Sequence, residues 1–309
     1  MSLSKKATAK LNRLPTERTN PASKDLDRKS ALEIARVINF QDAKVAAAVK
    51  RALPQIAQAI DLIAAALQRG GRLIYVGAGT SGRIAALDAV ECPPTFNTDP
   101  KTVQFIIAGG PKALAAAVEA NEDSRTLGER AIAKKKPGRN DVVVGIAASG
   151  RTPFTVAAIE YARRHGAKTV AVTCAPKSAL AHAGQVAIVT EVGPEVIAGS
   201  SRMKAGTAQK MVLNMLSSSA MARLGYVYGN LMVNVHLKNA KLRQRGIAIL
   251  EQATGIDHEA ARKALNLAGH SVPVALVMLR AGVRRADAER ALKASRANVR
   301  EAIAHARSL

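Results

Sequence analysis

The sequence has no tryptophan, and phenylalanine and tyrosine contribute only four residues each. Aromatic residues make up 3% of the chain, although hydrophobic residues of all kinds make up 48%. That hydrophobic content excludes a disordered chain. The core must be aliphatic, and a core of Ala, Val, Ile and Leu is typical of helices packed on a parallel β-sheet. The lack of aromatics also removes the stacking platforms with which many proteins bind single-stranded nucleic acid.

Cysteine and long apolar runs are scarce too. The two cysteines, Cys92 and Cys174, lie far apart in the sequence, which predicts a reducing compartment and no obligatory disulfide. The six histidines are scattered and no zinc-like spacing with cysteine occurs, so we expect no metal. No apolar run reaches the roughly 20 residues of a membrane span, and the N-terminus lacks the apolar centre of a signal peptide. We therefore expect a cytoplasmic protein without a membrane partner.

Acidic residues are few: 23 Asp and Glu face 46 Lys and Arg, which gives a formal net charge of +23. Such a field attracts anions and speeds the approach of phosphorylated substrates. The basic residues are spread along the chain among acidic ones, and no nucleic-acid-binding motif occurs. We therefore expect a solvated basic surface and no nucleic-acid partner.

The sequence divides into three parts. Residues 1–29 are polar and predict an N-terminal arm. Residues 30–240 begin with helical periodicity and continue as alternating strands and helices, the pattern of an α/β protein with a parallel sheet covered on both faces. Residues 241–309 show only short helical patterns, which predict a small all-helical C-terminal domain.

Local signals place several boundaries. Ser30 is predicted to cap the first helix and Pro54 to divide the helical stretch that follows. A helix over "SGRIAALDAVE" is predicted to end at Glu91, since Pro93-Pro94 follows it closely. The Ala-rich segment "PKALAAAVEANED", residues 111–123, predicts a further helix.

The turn Gly77-Ala78-Gly79-Thr80-Ser81-Gly82 matches the G-x-G-x-x-G pattern of dinucleotide-binding folds. That pattern requires a carboxylate at the end of the second strand, to bind the ribose hydroxyls. Here the second strand ends in Ala108-Gly109-Gly110 instead. The missing carboxylate therefore argues against a nicotinamide or flavin cofactor.

Two turns carry hydroxyl groups at a helix N-terminus, which is where phosphate binds well. The first turn offers Thr80 and Ser81 after Gly79, and the second offers Ser149 and Thr152 around Gly150. Both follow strands of the same predicted sheet, so we expect one crevice. Close packing of helix on sheet is the alternative explanation for the small residues.

Five blocks of sequence carry a resemblance to a known family. The turns "GAGTSGR" and "AASGRTP" resemble those of the sugar isomerase (SIS) phosphosugar-binding domains. More narrowly, "LIYVGAGTSGR", "DAVECPPTF", "DVVVGIAASGRTPF", "GSSRMKAGTAQKMVLNMLS" and "NLMVNV" resemble the N-acetylmuramic acid 6-phosphate etherase family. The resemblance extends from about Thr16 to the C-terminal helices. It implies a SIS domain, a homodimer and a cofactor-free lyase that acts in the recycling of peptidoglycan sugar.

The implied reaction explains why carboxylates are needed. In the open-chain sugar the C1 aldehyde acidifies the C2 proton, a base removes it, and D-lactate leaves from C3. Water then adds, which gives N-acetylglucosamine 6-phosphate. The resemblance places the acid/base glutamates at Glu91 and Glu122. From the sequence alone, either could be a solvated acid on a helix.

Four more residues are possible ligands of the phosphate or the lactate carboxylate: Arg83, Arg151, Ser201 and Lys204. Surface ion pairs and helix capping are the alternatives for them. Two other functions use the same fold. A phosphosugar aldose–ketose isomerase would release no lactate, and a non-catalytic phosphosugar sensor would need neither glutamate.

Overall fold

A computed structural model describes residues 16–116, 118, 121–237 and 239–308. The chain forms two compact units. The first contains the described residues up to Ala89 together with Lys101–Leu216, and the second contains Val90–Pro100 and Ser217–Leu309. The second unit thus begins within a helix, earlier than the boundary at residue 240 that the sequence pattern predicts.

Two helices lead into the sheet of the first unit. Helix α1 (Ala31–Arg51) begins with a capping box in which Ser30 and Glu33 bond each other's backbone amides, as predicted from Ser30. Helix α2 (Leu53–Gln68) follows after a break at Ala52 and carries Pro54 in its first turn.

The described part of the predicted arm packs against the first unit. It contains two short 3₁₀ helices, Pro21–Ser23 and Leu26–Arg28. Asn20 is buried, and its Nδ2 donates to Gln41 Oε1 at 3.1 Å. Residues 1–15 of the arm lie outside the described residues.

Five parallel strands form the sheet, which confirms the predicted fold class. They are β1 (Leu73–Gly77), β2 (Val103–Ile107), β3 (Val142–Ile146), β4 (Lys168–Thr173) and β5 (Val186–Val189). Their order is β2-β1-β3-β4-β5. All residues of β1 and β3 are buried, because helices cover both faces of the sheet and continuous apolar runs fit that environment.

The described residues of the first unit form five further α-helices or parts of them. They are α3 (Gly79–Phe96), α4 (Arg125–Ala133), α5 (Pro153–Arg164), α6 (Ala179–Ala183) and α7 (Lys204–Arg223). Of these, α3 and α7 continue into the second unit. The sequence patterns predicted α3 and a helix N-terminus at the second turn, where α5 begins, but missed α4 and α6.

The helix predicted over residues 111–123 is wrong. A 3₁₀ helix covers Gly110–Leu114, and residues 115, 116, 118 and 122–123 are not helical; residues 117, 119 and 120 of the predicted helix lie outside the described residues. Arg83 donates to the carbonyls of Leu114 (Nε, 3.4 Å) and Ala116 (NH2, 2.8 Å). A continued helix would use those carbonyls for its own amides, so this tertiary contact overrides the helical propensity of the alanines.

Helix α3 also departs from its predicted boundary. It does not stop at Glu91 but continues through Pro93 and Pro94 to Phe96. The two prolines lack the amide hydrogens that would bond the carbonyls of Ala89 and Val90. The helix therefore tolerates the missing bonds, and the glutamate lies inside the helix and not at its end.

In its described residues, the second unit contains a hairpin of two two-residue strands and five helices besides the ends of α3 and α7. Strands β6 (Val227–Tyr228) and β7 (Leu231–Met232) pair antiparallel. The helices are α8 (Ala240–Thr254), α9 (His258–Leu267), α10 (Val272–Ala281), α11 (Arg285–Ala294) and α12 (Val299–Arg307). Their core is built from small aliphatic residues such as Leu250, Ala275 and Ala288.

The helices were compared in length and apolarity with a membrane span. Among the described residues, no single helix has the length and apolarity to cross a bilayer, although the sharply bent pair α9 and α10 passes by length and composition together.

Candidate functional site

The two hydroxyl-bearing turns leave the sheet side by side. Gly77, the last residue of β1, is in register with Ile146, the last residue of β3. Neighbouring strands lie about 4.8 Å apart, so both turns begin at the same edge of the sheet. The strand order changes direction between β1 and β3, and ligands of open α/β sheets bind at such a switch point.

The three glycines of the first turn have different roles. A Cβ at Gly77 would lie 2.9 Å from Gly82 N, and a Cβ at Gly82 would lie 2.5 Å from Ile107 Cγ1. These two glycines let helix α3 pack closely on the sheet, which is the alternative explanation left open above. Gly79 differs, because it has a positive φ of 51° and faces a carboxylate.

That carboxylate belongs to Glu122. A Cβ at Gly79 would lie 3.1 Å from Glu122 Oε1. The backbone of the same glutamate reaches the second turn, where Phe154 N donates to the Glu122 carbonyl at 3.0 Å. Phe154 is the second residue of α5, so Glu122 contacts both turns at once.

The first turn holds one hydroxyl that is already hydrogen-bonded. Ser81 is 8% exposed, and its Oγ donates to Gln209 Oε1 on α7 at 3.0 Å. Thr80 precedes it in the first turn of α3 and is half-buried. A Cβ at Gly206 would lie 3.6 Å from Thr80 Cγ2, so the start of α7 packs against this turn.

The second turn is tightly constrained. Gly150 has a positive φ of 63°, and a Cβ there would lie 2.1 Å from Ser178 Oγ. Ser149 Oγ accepts from Arg151 N at 3.3 Å. Thr152 occupies the N-cap of α5, but its side chain makes no capping hydrogen bond. Its hydroxyl therefore remains available at the helix N-terminus.

The residues named above as possible ligands differ in their contacts and exposure. Arg83 donates to the carbonyls of Leu114 and Ala116, so part of its guanidinium is engaged within the chain. Arg151 is exposed at the second turn. Ser201 is half-buried, and its carbonyl accepts from Gly206 N at 3.1 Å, so it lies near the first turn together with α7.

The contacts of Lys204 differ from those expected of a phosphate or lactate ligand. It is 1% exposed, and its Nζ donates to Gln41 Oε1 at 3.1 Å and to the Val192 carbonyl at 2.9 Å. Its ammonium is therefore part of a buried polar cluster and is not presented to a ligand. Burial lowers the pKa of Lys204, against the opposing effect of Glu195.

Glu195 was missed by the sequence analysis. It is 1% exposed and accepts from Lys204 N and Ala205 N at 3.0 and 2.9 Å, so it caps the N-terminus of α7. Burial raises the pKa of its carboxyl above the usual range, although these amide hydrogen bonds oppose the effect. No sequence signal marks it, because it precedes the helix by nine residues and the cap forms through the fold.

Comparison with known proteins assigns the chain to a family. Residues 55–163 match the glucokinase regulatory protein N-terminal SIS domain, and residues 135–219 match the SIS domain. N-acetylmuramic acid 6-phosphate etherase of Symbiobacterium thermophilum is 60% identical over 274 residues, which cover 88% of this chain and 91% of that protein. The etherase of Vibrio vulnificus strain YJ016 is 53% identical over 281 residues, 91% of this chain and 93% of that protein. This chain belongs to the N-acetylmuramic acid 6-phosphate etherase family.

A solved structure agrees with this family at the level of fold. A phosphoheptose isomerase from Francisella tularensis superposes with a TM-score of 0.50 at 18% identity. The match covers 63% of this chain and 100% of that one. The likeness is to the SIS architecture, which the etherase family shares with sugar-phosphate isomerases.

The other glutamate that the sequence resemblance indicates is Glu91. It is exposed and lies on α3. Two exposed apolar side chains, Leu87 and Val90, lie on the same face of this helix.

The described residues contain no cluster of side chains that could hold a metal ion. Within residues 16–308, leaving aside 117, 119, 120 and 238, no three His, Cys, Asp or Glu side chains cluster as metal ligands would. Cys92 and Cys174 are both buried and form no disulfide, and burial raises the pKa of Cys174 to about 11.

Proposed function

We propose that this chain cleaves the D-lactyl ether of N-acetylmuramic acid 6-phosphate and releases N-acetylglucosamine 6-phosphate and D-lactate. Membership of the etherase family supports the reaction. The observation that carries it is the placement of Glu122, whose carboxylate adjoins Gly79 in the first turn while its carbonyl accepts from Phe154 N in the second. A carboxylate thus lies beside the first turn, and the backbone of the same residue is bonded to the second; these are the turns that would hold the phosphosugar.

The two turns would bind the phosphate and the sugar hydroxyls. Thr80 and Thr152 present hydroxyls at the N-termini of α3 and α5, where the helix dipole favours an anion. Ser81 and Ser149 would add further hydrogen bonds, and Gly79 and Gly150 keep the backbone close. Arg151 and Ser201 lie at the same turns and remain possible ligands.

The glutamates would move the protons of an elimination and a hydration. In the open-chain sugar, one carboxylate removes the C2 proton, and the C3–O bond breaks as a proton reaches the ether oxygen, which frees D-lactate. Water then adds its oxygen to C3 of the unsaturated aldehyde, and a proton returns to C2. We assign these transfers to Glu91 and Glu122 together.

A homodimer is part of this proposal. Leu32 and Phe40, on α1, are 60% and 64% exposed, and Leu87 and Val90, on α3, are 49% and 54% exposed. Such apolar groups would be covered by a second copy, and burial beside Leu87 and Val90 would give Glu91 the drier environment that proton transfer favours. Sedimentation equilibrium of the purified chain tests this: a monomer at micromolar concentration would contradict it.

The proposed place of the reaction is the cytoplasm, where it would serve the recycling of peptidoglycan sugar. Two buried cysteines that form no disulfide support a reducing compartment.

One assay separates the three candidate functions. Purified protein is incubated with N-acetylmuramic acid 6-phosphate, and D-lactate is measured with a coupled dehydrogenase. The etherase proposal expects lactate and the amino sugar phosphate in equal amounts, and none from the unphosphorylated sugar. Folded protein that binds the substrate without releasing lactate would favour a sensor, and formation of a ketose phosphate would favour an isomerase.

A further inference from the structure

A buried amide adjoins the first turn and is only half satisfied. Gln209, on α7, is 1% exposed, and its Oε1 accepts from Ser81 Oγ at 3.0 Å. Its Nε2 has no hydrogen-bond partner in the part of the chain that the structure describes. Leaving a buried donor without an acceptor is unfavourable, and such a group calls for an explanation.

The bond to Gln209 conflicts with phosphate binding by Ser81. A serine hydroxyl has one hydrogen, and here Ser81 gives it to Gln209. The oxygens of an ionised phosphate accept hydrogen bonds and donate none. In this arrangement the Ser81 hydroxyl therefore has nothing to offer a phosphoryl group.

Rotation of the amide gives the unpartnered donor a partner and frees the Ser81 hydrogen, while Oε1 moves to the position that Nε2 leaves. Turning the Gln209 side-chain amide by half a turn exchanges Nε2 and Oε1, two atoms of nearly equal size. Nε2 then donates to Ser81 Oγ, and the Ser81 hydrogen becomes free for the phosphate. Glutamine serves both orientations, whereas glutamate would only accept and methionine would do neither.

We propose that Gln209 is a positioning residue, which orients the Ser81 hydroxyl toward the phosphoryl group by this rotation. The inference rests on the proposed binding of phosphate at the first turn. It adds to that proposal a residue on another helix, 128 positions away from Ser81 in the sequence.

The test measures phosphate affinity separately from turnover. Inorganic phosphate is titrated by calorimetry into wild type, Gln209→Met and Gln209→Glu, and KM and kcat are measured with the phosphosugar. We expect Gln209→Met to raise both the phosphate Kd and KM about tenfold, and Gln209→Glu to raise them by up to about 100-fold. The kcat should change by less than about threefold, because the phosphate is remote from C2 and C3.

A double-mutant cycle distinguishes positioning from a structural role. In a Ser81→Ala background, Gln209→Met should change the phosphate Kd by less than about twofold, since no hydroxyl remains to be oriented. A purely structural role would lower the unfolding midpoint and leave the Kd unchanged, or give effects that multiply with those of Ser81→Ala. Either result would overturn the proposal.

A measurement on the native side chain covers the case in which the variants at 209 fail to fold. The side-chain amide signal of Gln209 in a ¹⁵N spectrum should shift on addition of inorganic phosphate, and Ser81→Ala should abolish the shift. An unchanged signal at saturating phosphate would refute the inference. Should phosphate binding depend on Gln209 while no lactate is released, the etherase proposal would fail and this one would stand.

Discussion

The carboxylate of Glu122 occupies the space that a side chain at residue 79 would need. A Cβ at Gly79 would lie 3.1 Å from Glu122 Oε1, a distance tighter than most real Cβ contacts. The absence of a side chain at residue 79 therefore leaves room for the Glu122 carboxylate as well as for the phosphate. It also needs the left-handed backbone conformation that its φ of 51° provides.

The first prediction concerns Gly79→Ala. The added methyl should displace the Glu122 carboxylate and lower kcat/KM by at least about tenfold, because small shifts of catalytic groups are costly. Backbone strain alone should cost about 1 kcal/mol of stability. Gly70→Ala is the matched control, since Gly70 also has a positive φ (75°), has no atom within 4 Å of its Cβ position and precedes β1 at the other end of the strand. Equal loss of activity in both variants would contradict the argument.

Glu122→Gln tests the proton-transfer role directly. The amide keeps the size and the hydrogen-bonding reach of the side chain but cannot take up a proton at neutral pH. We expect kcat to fall by about 10²- to 10⁴-fold in the lactate assay, with a small change in KM. Asp123→Asn changes the neighbouring exposed acid and should keep activity within about twofold.

Glu91→Gln should also lower kcat strongly. Because the C2 proton leaves and is replaced, wild-type product formed in D₂O should carry deuterium at C2. Measuring deuterium exchange into the unreacted phosphosugar in each glutamate variant separates the base from the second proton carrier. Glu129→Gln, on an exposed ion pair with Arg164, serves as the control. Full turnover by Glu91→Gln would remove this residue from the mechanism.

Arg83→Met should loosen the segment that leads to Glu122. The substitution frees the carbonyls of Leu114 and Ala116. We expect faster hydrogen–deuterium exchange at Ala115 and Ala116, whose amides bond the Lys112 carbonyl, and a drop of about tenfold in kcat/KM. Arg125→Met removes an exposed ion pair instead and should alter neither. A direct substrate contact by Arg83 would raise KM without changing the exchange.

The ion pair of Arg72 and Asp141 gives a pH-dependent prediction. Burial on its own raises the pKa of Asp141, but hydrogen bonds from Arg72 and Gly138 N outweigh it and hold the pKa below the usual range. The ionised carboxylate therefore stabilises the fold fully above about pH 4, the value for an unfolded chain, and this contribution is lost as pH falls through the lower native pKa.

Accordingly, Asp141→Asn should lower the free energy of unfolding by about 2 kcal/mol at pH 7. The gap between the variant and wild type should narrow progressively below pH 4. Urea unfolding of both proteins at several pH values measures it. A gap that stays constant down to pH 2 would show that the charge is not its source.

The sheet and its two turns were predictable because the relevant signals are local. Continuous runs such as Val142–Ile146 mark buried parallel strands, and hydroxyl residues after a strand mark a helix N-terminus. The predictions that were wrong concern features that depend on contacts between residues distant in the sequence. The alanines near residue 115 form no α-helix, because Arg83 bonds the backbone carbonyls there. Lys204 donates to Gln41 on α1 and to the Val192 carbonyl, and not to the site. The family resemblance, and not the pattern of residues, singled out Glu122.

The bonds between Ser81 and Gln209 and between Glu122 and Phe154 also determine when the site forms. Each joins segments that are distant along the chain, 128 residues apart in the first case, and requires the parallel strands to be paired first. Closing such long loops costs entropy before any contact repays it. A refolding chain should therefore gain most of its helical signal before it gains affinity for phosphate, and partly folded forms should be unable to hold the substrate.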